Sequence, residues 1–293
     1  MKITKIPQSK FEINYKNIVK WSNYKDRIFN ECKRKFLYKY VGVFLPPKTK
    51  EKVDFLKKLK TIKNWQGEVI HKYIDMSINI GSIEKALQNF ENEFDSIMSN
   101  PADKIAEFYY GYQITNSQIK EIFDISIFAL KNFWFFFINN IKKENIIFMD
   151  SKGIQEFSLD EITILYKPDL VCKDDDKIDV FDWKTYDIEL EINQFKLYYF
   201  VFCSQGFETQ CRVVSLYPSI KEERLSFDKN SIDEYKDFIR KSYDNIKKFM
   251  DDCRIFVHQD HENLFEEILE KFKQTDNKNI CVKCEFRELC FGK

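Results

Sequence analysis

Glycine and proline are scarce in this sequence, 7 and 6 of 293 residues, which excludes a collagen-like or low-complexity chain. Net charge is missing too. The 47 Lys+Arg balance 47 Asp+Glu, so evidence for a nucleic-acid partner has to be local. No apolar run nears the ~20 residues of a membrane span. The greasiest, Phe133-Trp-Phe-Phe-Phe-Ile138, lies between Lys131 and Lys142. The opening MKITKIPQSK has no apolar core of a secretory signal, and a cytoplasmic protein without membrane association is expected. With 32% charged and 16% aromatic residues, wholesale disorder is excluded. The length suits one large domain or two small ones, burying about three quarters of the unfolded surface.

Eight cysteines are present. In a reducing cytosol their clustering points to metal or redox chemistry rather than disulfides. Cys172, Cys203, Cys211 and Cys253 are scattered among apolar neighbours and read as small buried residues. Cys281-x2-Cys284-x5-Cys290 is different. The C-x2-C spacing lets two thiolates grip one metal centre. Three thiolates are one short of a closed site, and Cys32 is the candidate for the fourth.

Periodicity predicts a helix over 17–41, then a break at Pro46-Pro47. From Lys33 to Lys63 eleven Lys/Arg face two acids, a local charge of +9, interleaved with Phe36, Tyr38, Tyr40, Phe44, Phe55 and Trp65. Such a stretch suits a single-strand groove, cations for phosphates and rings for bases. It suits equally a solvated helix face whose rings lie in the core. Helical spacing covers 64–79 and 83–145, with joints at Pro101 and Gly111. From Ile146 to Thr185 short β-branched runs mark strands. A helix over 191–204, strands near 208–217 and 222–227, and helices over 230–253 and 261–274 complete one α/β domain with a helical elaboration.

The informative segment runs from Ile164 to Thr185. Lys173 and Ile178 bracket a four-residue polar loop, Asp174 to Lys177, and in that register Asp169 falls opposite Asp182. Opposed strand residues have Cβ atoms about 5 Å apart, and like charges there repel. Two-residue alternation puts Val180, Asp182 and Lys184 on one face, Asp179, Phe181 and Trp183 on the other. A divalent cation between the carboxylates removes the repulsion, and oxygen donors suit Mg²⁺ or Mn²⁺. With Lys184 as a nearby point charge, the chemistry indicated is phosphodiester hydrolysis.

Pro168-Asp169 … Asp182-Trp183-Lys184 resembles the signature of the PD-(D/E)xK nuclease superfamily. Gly67-x3-His71 before the sheet resembles its RecB-like branch, and so does Gln194-x3-Tyr198 after the lysine. Cys32 with Cys281, Cys284 and Cys290 is similar to the iron–sulfur nucleases of that branch, among them CRISPR-adaptation nucleases and the AddB-type nuclease domain. The motifs span residues 32–290. Lys33 stands where the family often has proline, and Tyr166-Lys167 where it often has glycine.

This resemblance implies a restriction-endonuclease-like fold, a mixed β-sheet core flanked by helices. One nuclease domain would span 1–293: a mainly helical section to about 145, the catalytic sheet and helix over about 146–228, and helices with the cysteine cluster over about 229–293. It implies His71, Asp169, Asp182 and the Trp183 carbonyl as ligands of Mn²⁺ or Mg²⁺. It implies Asp169, Asp182, Lys184, Gln194 and Tyr198 as the catalytic residues, Lys184 assisting the attacking water and Gln194 and Tyr198 orienting substrate or lysine. The four cysteines would hold a [4Fe–4S] cluster, with structural Zn²⁺ as the rival. The substrate implied is DNA, single-stranded or with ends, cut exonucleolytically in CRISPR adaptation, recombinational repair or phage-related processing, with protein partners possible. The alternative is a non-catalytic DNA-binding or scaffolding subunit. His258 and His261 read as solvated. Glu156 and Glu161 are further carboxylates that no spacing ties to the site.

Overall fold

The computed structural model describes residues 15–42, 45–186, 191–257 and 264–292. Phe44, His258 and His261 lie outside the described residues, as does the side chain of Cys253. Among the described residues the first helices are α1 (Asn23–Glu31), α2 (Lys33–Tyr40) and α3 (Pro47–Leu56), followed by α4 (Ile62–Ile80), α5 (Ile83–Ser99) and α6 (Asn116–Asn140). Strands β1 (Ile146–Met149), β2 (Gln155–Leu159), β3 (Ile162–Tyr166), β4 (Leu170–Asp174) and β5 (Lys177–Lys184) come next. Helix α7 (Ile192–Cys203) precedes β6 (Glu208–Ser215) and β7 (Lys221–Leu225). Helices α8 (Lys229–Val257), α9 (Leu264–Lys271), α10 (Lys278–Val282) and α11 (Arg287–Phe291) end the chain.

These elements divide into two compact units. The first comprises Met1–Leu59, Glu156–Leu165 and Lys236–Lys293, the second Lys60–Gln155 and Tyr166–Tyr235.

The second unit is built on a mixed sheet in the order β1-β4-β5-β6-β7. Only β5 and β6 run parallel, and α7 supplies the crossover that parallel neighbours need. The sheet is covered on both faces. Leu170, Phe181, Trp183 and Val214 pack with the apolar sides of α4, α5 and α6, while Val171, Val180 and Val213 pack with Phe195 and Tyr198 of α7. Neighbours Val213 and Val214 are therefore both fully buried, as in strands covered on both sides. Helix α4 starts at Thr61, whose hydroxyl accepts from Asn64 N, and stops at Gly81 in the left-handed region, φ 67°. It buries Trp65, Val69, Ile70, Tyr73, Ile74 and Ile78, each contributing about 1.5–3 kcal/mol.

The predicted joints at Pro101 and Gly111 are present, since α5 ends at Ser99 and Gly111 takes φ 74° before α6. The hairpin register is also as expected, with Lys173 opposite Ile178 and Leu170 opposite Phe181. Its loop is shorter than expected. Asp174 pairs with Lys177, leaving a two-residue turn in which Asp175 adopts φ 53°, a conformation Asp tolerates.

The first unit joins α1–α3 to the hairpin β2–β3 and the C-terminal helices. Trp21 bridges to Ile164, and its indole N–H donates to Ser242 Oγ, 2.8 Å, which in turn donates to Asp26. The helix expected over 17–41 is broken. Cys32 has extended φ/ψ (−162°, 111°), closes α1 and caps α2, its sulfur accepting from Lys35 N at 3.4 Å.

Candidate active site

At the C-terminal end of β5, the hairpin brings Asp169 and Asp182 to one place, as the register requires. Trp183 N–H donates to Asp169 Oδ2 (2.7 Å), and the other Asp169 oxygen lies 3.2 Å from His71 Nδ1. His71 comes from the middle of α4, and its Nε2 is 3.1 Å from the Trp183 carbonyl. Both ring nitrogens thus face acceptors, so without a metal the imidazole carries both protons. Burial works against that charge, but Asp169 outweighs it and raises the His71 pKa to about 9.

The two carboxylates are driven apart. Burial would raise Asp169, yet His71 beside it and the Trp183 N–H hold it below the usual range. Asp182 is pushed up to about 6 by burial and by Asp169. Gln194 Nε2 donates to Asp182 Oδ1 (3.0 Å) and to the Tyr198 hydroxyl (2.8 Å), which donates to the Lys167 carbonyl (2.8 Å). The four-residue spacing on α7 therefore does bring Gln194 and Tyr198 to the same place. Lys184 Nζ is 2.7 Å from Asp182 Oδ2. Among the described residues that buried oxygen has no partner besides the ammonium. Burial opposes the Lys184 charge, but Asp182 and Asp169 raise its pKa. Lys184 is a cation here, not a neutral base.

The donor set tests whether a divalent ion fits. Two buried carboxylates lie side by side, one with an oxygen whose partner is the Lys184 ammonium, and the Trp183 carbonyl and the His71 imidazole approach each other there. Hard oxygen donors with one nitrogen suit Mg²⁺ or Mn²⁺. Among the described residues no group of three or more His, Cys, Asp or Glu side chains is already drawn together as a cation cage. The imidazolium protons occupy the acceptors that a bound cation would use.

Sequence reasoning missed two neighbours. Asp75, one turn after His71, is buried and accepts from Ser151 N at 2.6 Å, and burial with Asp150 and Asp169 raises its pKa. Asp150 pairs with Lys167 (2.5 Å), and its N–H donates to the Asp169 carbonyl (2.8 Å). The i, i+4 spacing of His71 and Asp75 was a visible signal. Asp150 offered none. Glu156 pairs with Lys20 in the first unit.

In the first unit, Cys32, Cys281, Cys284 and Cys290 line one small pocket with Arg34, Lys35 and Tyr38. Burial pushes Cys284 up to about 12 and Cys290 up to about 11, so thiols are the metal-free state and any metal must displace protons. All four line that pocket, but among the described residues no three of them are drawn close enough together to hold a metal ion. The other described cysteines are also free; Cys211 is buried, whereas Cys172 and Cys203 are only half-buried, short of the full burial expected. The basic stretch resolves toward packing. Phe36, Tyr38 and Trp65 are buried, and Lys35 and Lys39 pair with Glu285 while Lys52 pairs with Glu288.

No helix among the described residues is long and apolar enough to cross a membrane. A family model described as the PD-(D/E)XK nuclease superfamily matches residues 20–291. No curated protein matches the chain.

Proposed function

The chain belongs to the PD-(D/E)XK nuclease superfamily, and from that premise we propose that it is a metal-dependent deoxyribonuclease of the RecB-like, iron–sulfur type. The observation that carries this reading is a pair of contacts at the end of β5, where His71 reaches both Asp169 and the Trp183 carbonyl and Lys184 reaches Asp182. His71, Asp169, Asp182 and the Trp183 carbonyl would hold Mn²⁺ or Mg²⁺. An ion bound there supplies Lewis acidity toward the scissile phosphate. Lys184, held as an ammonium by Asp182, neutralises charge that develops on the attacked phosphate. Gln194 fixes the Asp182 carboxylate and the Tyr198 hydroxyl together, and Trp183 N–H orients Asp169.

The four cysteines are assigned a [4Fe–4S] cluster with a structural role; broad visible absorption of anaerobically purified protein distinguishes it from Zn²⁺. Both compact units belong, on this reading, to one nuclease domain, since the family match crosses both. The substrate is single-stranded or end-containing DNA, cut exonucleolytically in the cytoplasm, in CRISPR adaptation, recombinational repair or phage-related processing, with or without protein partners.

The test is Mn²⁺-dependent digestion of end-labelled single strands by wild type and Lys184→Ala. Loss of the lysine should slow cleavage by about 10²–10³-fold, as for other transition-state donors. Equal rates, or no digestion by either, would instead favour a non-catalytic DNA-binding or scaffolding subunit.

A further inference from the structure

Beyond Lys184 the chain leaves β5 and immediately presents Tyr186. That side chain is fixed on two sides. Its hydroxyl donates to Gln66 Oε1 at 2.7 Å, and Gln66, itself buried, is anchored by Ile122 O and Ser126 Oγ. Its carbonyl accepts from Ser215 Oγ at 2.7 Å. Gln66 lies five residues before His71 on α4, about 7.5 Å along the helix. Tyr186 is thus tied to α4, which carries His71, and to β6, the parallel neighbour of the strand that carries Asp182 and Trp183.

From Tyr186 a row of rings continues. Tyr217 packs edge-on against Tyr186, centroids 6.2 Å apart, and Phe128 packs edge-on against Tyr217 at 5.8 Å. In each edge-on pair the edge of one ring meets a face of the other, and the row ends at Phe128, which is 46% exposed, with Tyr186 and Tyr217 half-buried behind it. Tyr217 and Phe128 line an open groove with Ile125, Lys120, Glu121 and Asp124. Lys63 Nζ sits 5.6 Å from the Tyr186 ring centre.

We infer that this row, Tyr186–Tyr217–Phe128, is the platform on which an unpaired nucleic-acid strand lies as it runs to the scissile position beside Lys184. The inference rests on the nuclease reading and gives its substrate a place. Rings with open faces stack on any base, whereas a paired base has its faces covered by its neighbours. The charges agree. Lys63 beside Tyr186 and Lys120 on the groove are two separate cations available to phosphates. Glu121 and Asp124, on the groove side, repel a backbone but accept hydrogen bonds from exposed base amino groups. A strand with bases inward and phosphates outward satisfies both signs, while a duplex would bring a second backbone toward the two carboxylates.

The experiment measures fluorescence anisotropy of a labelled 20-nucleotide single strand and of the matching duplex, with the full chain in EDTA so that neither is cut. Phe128→Ala and Tyr217→Leu each remove one ring; the first site is exposed and the second variant keeps its bulk, so one remains informative if the other fails to fold. Each should weaken single-strand binding about fivefold to a hundredfold and leave duplex affinity within about twofold. Lys63→Gln should reduce the salt slope of single-strand binding by about 0.7. Unchanged single-strand affinity in folded ring variants, equal losses on strand and duplex, or no strand binding by wild type would each overturn the inference. Ring-dependent binding alongside cleavage indifferent to Lys184→Ala would refute the catalytic reading and leave the platform standing.

Discussion

Asp169 and Asp182 stand thirteen positions apart and meet through one hairpin; Cys32 and Cys281 stand 249 apart and meet through the packing of the whole first unit. Closing the hairpin costs little chain entropy, so the second unit can spend stability on burying two like charges. Closing the cysteine pocket costs far more. It is held by Arg34 donating to the Phe272 and Leu269 carbonyls and by Glu285 and Glu288 gripping three lysines. The first site is thus electrostatically strained but locally determined. The second holds Cys284 and Cys290 as buried neutral thiols beside paired charges, and depends on contacts across the chain.

That contrast can be attacked directly. The greatest effect belongs to Asp182→Asn, expected to slow Mn²⁺-dependent cleavage about 10³-fold and to abolish the calorimetric heat of Mn²⁺ binding, yet to melt no lower than wild type at pH 7. The sign follows from the raised pKa. A carboxyl held at about 6 when folded, against 3.8 ordinarily, opposes folding increasingly as pH rises from 4 to 6 and fully above it. A clear loss of stability would show that the two carboxylates do not strain each other.

Cys284→Ser comes second. It should eliminate stoichiometric iron or zinc by elemental analysis and lower stability by about 2–5 kcal/mol, as loss of a long-range cross-link does, while Mn²⁺ binding at Asp182 changes less than about twofold. Retained metal content would remove Cys284 from the ligand set.

The smallest effect is at the sheet edge, where Glu222 binds Arg212 (2.7 Å) on the neighbouring β6 and Arg224 (2.8 Å) two positions along β7 itself. Burial opposes its charge, but the two arginines hold its pKa below 4.5. Its contribution is present above that value and lost as pH falls through the lower folded one. Glu222→Gln should therefore cost about 1 kcal/mol in urea melts at pH 6 and nothing near pH 3. An equal cost at both would locate the effect in packing instead of charge.

Much of the second unit was legible because its signals are short-range. Alternation in β5 assigned Phe181 and Trp183 to one core and Val180 to the other, and the polar turn set the register that opposes Asp169 and Asp182. The turn's true length was not legible, since Asp175 in the left-handed region closes it in two residues where four were expected. Helix 17–41 failed at Cys32. Cysteine is not among the usual caps, and only the folded chain shows its sulfur accepting from Lys35 N. The rings of the basic stretch could be core or platform from composition alone; burial of Phe36, Tyr38 and Trp65 decides for core. The rings of the inferred platform lie elsewhere, on residues from three separate segments that no local pattern connects.

Strand alternation, helix periodicity and the order of the motifs followed from the chain itself, because each is set by backbone geometry and neighbouring side chains over a few residues. Which groups share one environment was decided by the tertiary structure: the protonated His71 between Asp169 and the Trp183 carbonyl, the split carboxylates, Asp150 beside Lys167. Charge state depends on burial and on every group within a few ångströms, and those distances exist only after folding.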